Sequence, residues 1–270
     1  MRLDEFYKIA DAVAPKALSD EFCAKYNAYD NSGILIDCGE EIKKALFSLD
    51  LSTKAIEKAI EEKANLIVTH HPAIYGKISN IRMDDKTNLG AKLVYCLRNG
   101  ISVISMHLNL DMALGGIDES LEEGIKNSAG TIFRLGESKL MHEMSQGGYG
   151  RAYDVSPVSL SELVQNMCET FHTQRIIFYG DKNSQVRRIA SFCGAGGDEG
   201  SILFAVEQNA DTVVSADFKH HVIAYALEKG LNVIALTHYA SENYGFKNYY
   251  EKIRRQTGIP CVYYTDERLL

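Results

Sequence analysis

The chain has no two cysteines in C-x-x-C spacing. Cys23, Cys38, Cys96, Cys168, Cys193 and Cys261 are scattered singly, which excludes the common cysteine zinc sites. Cys96 and Cys168 fall on apolar helical positions and read as small buried hydrophobes. Reduced thiols and a cytoplasmic location follow as the expectation. No apolar run reaches the roughly 18 residues that a membrane-spanning helix needs. The N-terminal stretch carries Asp4, Glu5 and Asp11 among its apolar residues, so it lacks the unbroken apolar core of a signal peptide. Leu3, Phe6, Ile9, Ala10 and Val13 recur instead at helical spacing, and Pro15 closes the pattern. There is no long run of like charge and no Pro/Gly/Ser-rich tract, which excludes disorder as the main character of the chain. Basic clusters are no larger than pairs such as Arg187–Arg188 and Arg254–Arg255, and the net charge is -7. A surface for duplex nucleic acid is therefore not expected, because phosphate binding needs clustered Lys and Arg.

Short β-branched runs are present at 44–50, 65–69, 101–105, 174–179, 189–192, 212–216, 232–236 and 261–264, and each reads as a strand. A further strand is read at 33–37. Helical patterns lie between them. One places Ile56, Ala59 and Ile60 on a common face, and another places Leu89, Leu93, Cys96 and Leu97 there, with Gly100 at the C′ position. A third opens at Ser159 with Glu162 three residues on, the spacing of a capping box. A fourth ends at Gly230. Such alternation predicts an α/β fold with a mostly parallel or mixed sheet flanked by helices. Residues 127–157, with "SQGGYG" at 145–150, read as the crossing between two lobes, carrying an irregular strand or two.

The two halves resemble each other. "AIEEKANLIVTHHPAI" followed by "NGISVISMHLNLD" is echoed by "AVEQNADTVVSADFKHHVI" followed by "KGLNVIALTHYASE". Each copy runs helix, strand, histidine pair, helix, glycine, strand, polar cluster, which predicts internal duplication. The expected organisation is a first lobe over 1–126, a second over 127–231, and a segment 232–270 that returns to the first lobe.

The polar clusters sit at the C-terminal ends of the expected strands, where ligands gather in open α/β sheets. The chain has only eight histidines, yet His70 and His71 stand together there. Neighbours on a regular strand point to opposite faces, so the pair converges on one site only where the strand gives way to a turn. Pro72 holds His71 extended. Taken alone, the pair also fits one buried and one exposed histidine. His238 and Glu242 are spaced i, i+4 and share a face of any helix that starts there. Asp111 follows His107 by the same interval. Three imidazoles and two carboxylates form a nitrogen/oxygen donor set suited to zinc, iron or manganese. Five ligands exceed what one ion usually takes, so two divalent ions are expected.

These stretches, with "DNSGILI" (30–36) and "CGAGGDEGSIL" (193–203), resemble the successive motifs of the Nif-three-like dinuclear metal family, whose members carry the name GTP cyclohydrolase 1 type 2 homologue. The resemblance spans nearly the whole chain and fits the compact form that lacks an inserted domain. It implies two related α/β lobes, a toroidal homohexamer, and metal ligands at His70, His71, Asp111, His238 and Glu242. In one place the pattern departs: the family's "GGVN" reads "GGID" at 115–118, with Asp118 in place of Asn.

The remaining residues have two readings each. His107 is either functional, orienting Asp111 or helping to bind substrate, or an ordinary polar loop residue, and Asn31 either lines the pocket or turns the chain before its strand. His221 is either a substrate contact and general acid/base or structural, while Lys219 and His220 read as solvent-facing. Glu242 is a second proton-handling candidate. Glycines in 193–200 either admit an anion to backbone N–H groups or make a tight turn; the P-loop pattern is absent. Phe246, Tyr249, Tyr250 and Ile253 serve either oligomer contacts or packing within their own lobe. The expected function is a metal-dependent hydrolase acting on a small anionic or heterocyclic substrate. The rival is a non-catalytic, ring-shaped metal-binding scaffold.

Overall fold

Four-residue strands without a single exposed side chain lie in the interior of each sheet, as expected where both faces of parallel strands are covered. The computed structural model describes residues 1–131 and 135–270. They divide into two units, Met1–Ala113 with Phe246–Thr265, and Leu114–Gly245 with Asp266–Leu270.

The first unit opens with helices α1 (Leu3–Val13) and α2 (Lys16–Tyr26) and strand β1 (Gly33–Ile36). A βαβαβ run follows: β2 (Ala45–Ser48), α3 (Thr53–Glu61), β3 (Leu66–Thr69), α4 (Leu89–Arg98) and β4 (Ser102–Ser105), then the short α5 (Leu108–Met112). β2, β3 and β4 are parallel neighbours, and β1 joins the β4 edge antiparallel. Ser52 caps α3 by accepting from Ala55 N at 3.0 Å, and Asn88 caps α4 by accepting from Ala91 N at 3.1 Å. The core of this unit joins Ile56, Ala59, Leu93 and Cys96 of the helices to Leu46, Ile67 and Val103 of the sheet, each large aliphatic contributing about 1.5–3 kcal/mol. Ile60 and Leu97, expected on the buried faces, are instead exposed. The core stripe of each helix is narrower than the sequence pattern implies, with Ala55, Ile56 and Ala59 of α3 and Leu93 and Cys96 of α4 in the core. Burial pushes the Cys96 thiol up to about 12, so it behaves as a hydrophobe; Cys168 is only half-buried.

In the second unit, α6 (Ile117–Ser128) leads to a hairpin of β5 (Lys139–Glu143) and β6 (Gly148–Ser159), then α7 (Leu160–Thr170) and β7 (Ile177–Tyr179). A second βαβαβ run comprises β8 (Gln185–Ser191), α8 (Glu199–Glu207), β9 (Thr212–Ser215), α9 (His220–Glu228) and β10 (Asn232–Ala235). Sheet order is β5-β6-β8-β9-β10-β7, with β8, β9 and β10 parallel. Ala152 of β6 belongs to the core under α8 and α9, while its neighbour Tyr153 meets Lys126 of α6 at 5.0 Å. The alternation along β6 thus places helices on both faces. Ser159 caps α7 through Glu162 N at 3.3 Å, as its spacing predicts.

The chain then enters α10 (His238–Gln256), which begins in the second unit and ends in the first, where β11 (Cys261–Tyr263) joins β2 in parallel. Phe246, Tyr249 and Ile253 are buried, and Tyr250 meets Phe47 of β2 at 5.2 Å. These residues pack within their own unit.

Two expectations change. Residues 127–157 are not a crossing: β6 runs for 12 residues and pairs with both β5 and β8, while 132–134 lie outside the described residues. The glycines that blurred the periodicity turn the hairpin, with Gly147 at φ 77° and Met144 N donating to Gly147 O at 3.2 Å. The unit boundaries also differ from those expected at 126 and 231. Helix α6 packs on α7 and β6, which draws 114–126 into the second unit, and β10 pairs with β9 and β7.

Candidate metal centre

Chain reversal after β3 and β4 sets the first unit's site. β3 ends at Thr69, whose hydroxyl donates to His71 O at 2.8 Å and so ties down the turn that carries both histidines. His70 is fully buried. The His70 and His71 ring centroids lie 5.0 Å apart, and His107, just past β4, lies 5.3 Å from His70 and 6.0 Å from His71. Asp111 on α5 brings Oδ1 to 3.5 Å from His70 Nε2. One donor atom each from His70, His107 and Asp111 falls within 4.8 Å of the others, so these three could hold a metal ion.

Each ring is fixed from behind. His70 Nδ1 lies 2.8 Å from Met106 O; a carbonyl only accepts, so Nδ1 carries the proton and the lone pair is on Nε2. His71 Nδ1–H donates to Asp50 Oδ1 at 2.8 Å, and His107 Nδ1–H donates to Asp30 Oδ1 at 2.7 Å. Burial alone would raise the Asp30 carboxyl. Hydrogen bonds from His107, Ser19 and Ser32 outweigh it and hold the group well below the ordinary carboxylate range.

The second unit repeats this arrangement at the start of α10. His238 Nδ1–H donates to Asp217 Oδ2 at 2.6 Å, and its Nε2 lies 3.1 Å from Glu242 Oε1, one turn on. Asp217 sits in the left-handed region at φ 53°, uncommon for a side chain with a Cβ and frequent where function sets the backbone. Glu242 is buried against the loop after β8. Gly194 there has φ 57°, and a Cβ on it would stand 2.3 Å from Glu242 Oε1. Gly194→Ala is therefore expected to displace the Glu242 carboxylate as well as strain the backbone, lowering metal affinity about 10–100-fold; chelator competition measures it, and unchanged affinity would refute this close-approach role. This glycine makes room for a carboxylate rather than for a bound anion. The N-terminus of α8 is capped by Asp198, which accepts from Ser201 N at 2.8 Å.

His221 is exposed on the first turn of α9, with Nε2 3.9 Å from Glu199 Oε1. It lines a cleft of about 510 Å³ together with Asp198, Glu199, Asp217 and Lys219. His238 and His221 are thus connected through Asp217, which holds the one and lines the cleft of the other. Lys219 and His220 are solvent-exposed, as expected. Asn31 donates from Nδ2 to Ile74 O at 2.7 Å, fixing the segment after the histidine pair. The partner of His107 Nδ1 is Asp30 rather than Asp111.

The donor set fits a divalent cation. Lone pairs on His70 Nε2 and His238 Nε2 face carboxylate oxygens at 3.5 and 3.1 Å, a repulsive meeting of acceptors that a cation converts into ligation. Carboxylate or carbonyl behind each imidazole is the usual support for a metal-binding histidine. The sequence reading gave Asp30, Asp50 and Asp217 no role in holding the imidazoles. Asp50 and Asp217 do lie just past the ends of β2 and β9, and that position is the signal that could have found them.

Comparison with known proteins identifies the family. Residues 1–267 match the family Duf34/NIF3 (NGG1p interacting factor 3). A GTP cyclohydrolase 1 type 2 homolog of Clostridium perfringens is 30% identical over 246 residues, covering 90% of this chain and 87% of that protein. Reduced HcgD from Methanocaldococcus jannaschii superimposes with a TM-score of 0.78 at 28% identity, covering 97% of each chain. A Staphylococcus aureus hypothetical protein, SA1388, shares the fold with a TM-score of 0.80 at 22% identity, over 98% of this chain and 97% of that one. Motifs, fold and match along nearly the full length agree, and the chain belongs to the Duf34/NIF3 family.

Proposed function

We propose that the chain is a metal-dependent hydrolase built around a dinuclear centre, with His70, His71, Asp111, His238 and Glu242 as ligands and His107 as a further donor. The observation that carries this reading is the shared setting of the imidazoles of His70, His71, His107 and His238, each with Nδ1 tied to an oxygen acceptor. Scattered structural histidines have no reason to adopt one tautomer. A pair of zinc, iron or manganese ions would supply Lewis acidity and lower the pKa of water in the site. Asp111 and Glu242 have the chemistry to bridge two ions. His221, exposed beside Lys219, is placed to exchange protons with a substrate in its cleft. The substrate in this reading is small and anionic or heterocyclic, in line with the cyclohydrolase-type name that relatives carry. Two companion proposals go with it. Assembly as a homohexamer follows from the motif resemblance. A cytoplasmic setting follows from six cysteines that are all free, and no described helix is long and apolar enough to cross a membrane.

The test is elemental analysis after metal-free purification and add-back of Zn²⁺, Fe²⁺ or Mn²⁺, then a hydrolysis screen with nucleotides, phosphoesters and cyclic amides. About two ions per chain are expected. A stoichiometry of zero would refute the centre. Full loading with no turnover of any substrate class would favour the metal-binding scaffold instead.

A further inference from the structure

Two tyrosines next to the first unit's imidazoles are left largely bare. Tyr75 is 56% exposed and Tyr29 is 53% exposed. Their ring centroids are 5.1 Å apart with planes at 77°, so they form a corner of two aromatic walls. Tyr75 also meets His107 edge-on, at 6.5 Å and 80°. His107 in turn shares a possible metal position with His70 and Asp111.

The corner is held in place. Tyr75 Oη–H donates to Tyr29 O at 3.3 Å. The carbonyl before Tyr75, Ile74 O, accepts from Asn31 Nδ2 at 2.7 Å. One hydrogen bond fixes the ring tip and the other fixes the backbone at its root. Tyrosine has only two side-chain torsions, so an anchored ring loses little further freedom when something binds to it. Aromatic rings with exposed faces, braced at both ends beside a donor set for metal, are suited to a flat partner that stacks on one wall and meets the other edge to face.

From this we infer that Tyr29 and Tyr75 form a recognition corner for a planar heteroaromatic ring, which they hold with its edge toward His107. The inference rests on the proposed metal centre and narrows its substrate to a molecule carrying such a ring. Stacking is tolerant of ring identity, because every such ring has a π-face. The corner therefore sets the class of substrate, and polar groups elsewhere would choose within it.

The probes are AMP, GMP and UMP, with ribose 5-phosphate as the ring-free control, titrated by calorimetry into the metal-loaded full chain. At least one nucleotide is expected to bind about tenfold or more tightly than ribose 5-phosphate, and Tyr75→Ala is expected to erase that margin. Tyr75→Phe keeps the face and should keep most of it. Because Tyr75 is mostly solvent-exposed, the alanine variant is expected to fold and to carry unchanged metal, which elemental analysis checks on every sample. No nucleotide exceeding ribose 5-phosphate on metal-loaded protein would overturn the inference while leaving the metal centre standing. A margin that survives Tyr75→Ala would do the same. Loss of oligomeric state in Tyr75→Ala on a sizing column would also overturn it, by making the corner a contact with a second copy. Failure of wild-type protein to take up metal would count against the underlying reading instead.

Discussion

Replacing His70 and His71 together by alanine is expected to weaken divalent-metal binding by at least roughly a hundredfold, since the loss of even supporting residues costs 10–100-fold. Both rings have Nδ1 committed to an oxygen at 2.8 Å, which places the ligating lone pair on Nε2. Alanine removes that nitrogen and leaves nothing of comparable chemistry. The two positions differ in their structural cost. His70 is fully buried, and its removal leaves Met106 O without the N–H it accepts, a penalty of about 1–3 kcal/mol. His71 is partly exposed and its partner Asp50 is 43% exposed, so His71→Ala alone should leave the fold unchanged while still lowering affinity. Elemental analysis of the double variant, with circular dichroism to confirm folding, checks the first claim. Chelator competition on His71→Ala separates lost ligation from lost structure. Full metal retention in a folded double variant would refute the ligand assignment.

The ligands could be read from the sequence because they share a rule of place: each follows closely on a strand whose burial is plain in its composition. β3 and β4 are four-residue runs with every residue buried, and β10, which precedes His238, buries its two central residues; they read as strands without help from distant parts of the chain. The imidazole supports are harder to read: Asp50 and Asp217 do stand just past strand ends, but nothing local pairs them with their histidines. Asp30 reaches His107 across 77 positions, and Asp50 and Asp217 each reach their histidine across 21. A single aspartate in a loop looks the same whether it holds a ring or faces water. Similarly, the glycines of 193–200 announce a bend, but only packing shows that Gly194 makes way for a carboxylate. The β5–β6 hairpin was hidden for another reason. Its strand Gly148–Ser159 includes two glycines and Pro157, residues with poor strand propensity. Pairing on both sides of β6 overrides that weakness.

Asp118, which stands where the motif of related proteins has Asn, carries the second large expectation. It is fully buried and accepts from Arg151 Nε at 2.9 Å, Gly150 N at 3.0 Å and Cys193 N at 3.3 Å. Arg151 is itself 6% exposed. A carboxylate is thus affordable at this position because the guanidinium beside it is buried too. Arg151→Ala would leave that carboxylate charged and unpaired, and is expected to destabilise the second unit by about 3–5 kcal/mol. For a chain of this size the midpoint of thermal unfolding should fall by roughly 6–20 °C. Asp118→Asn is expected to cost less, about 1–3 kcal/mol. The amide oxygen still accepts, and Glu122 Oε2, 3.7 Å from Arg151 Nη1, leaves the guanidinium a second carboxylate. The two variants therefore rank in a fixed order, with the loss of the cation worse than the loss of the anion. Denaturant titration followed by hydrogen exchange in α6 and β6 tests the ranking within the unit that contains the pair. The opposite order would mean that Glu122 does not compensate Arg151; a cost below about 1 kcal/mol for Arg151→Ala would mean that water reaches Asp118 and that the ion pair is not what permits aspartate there.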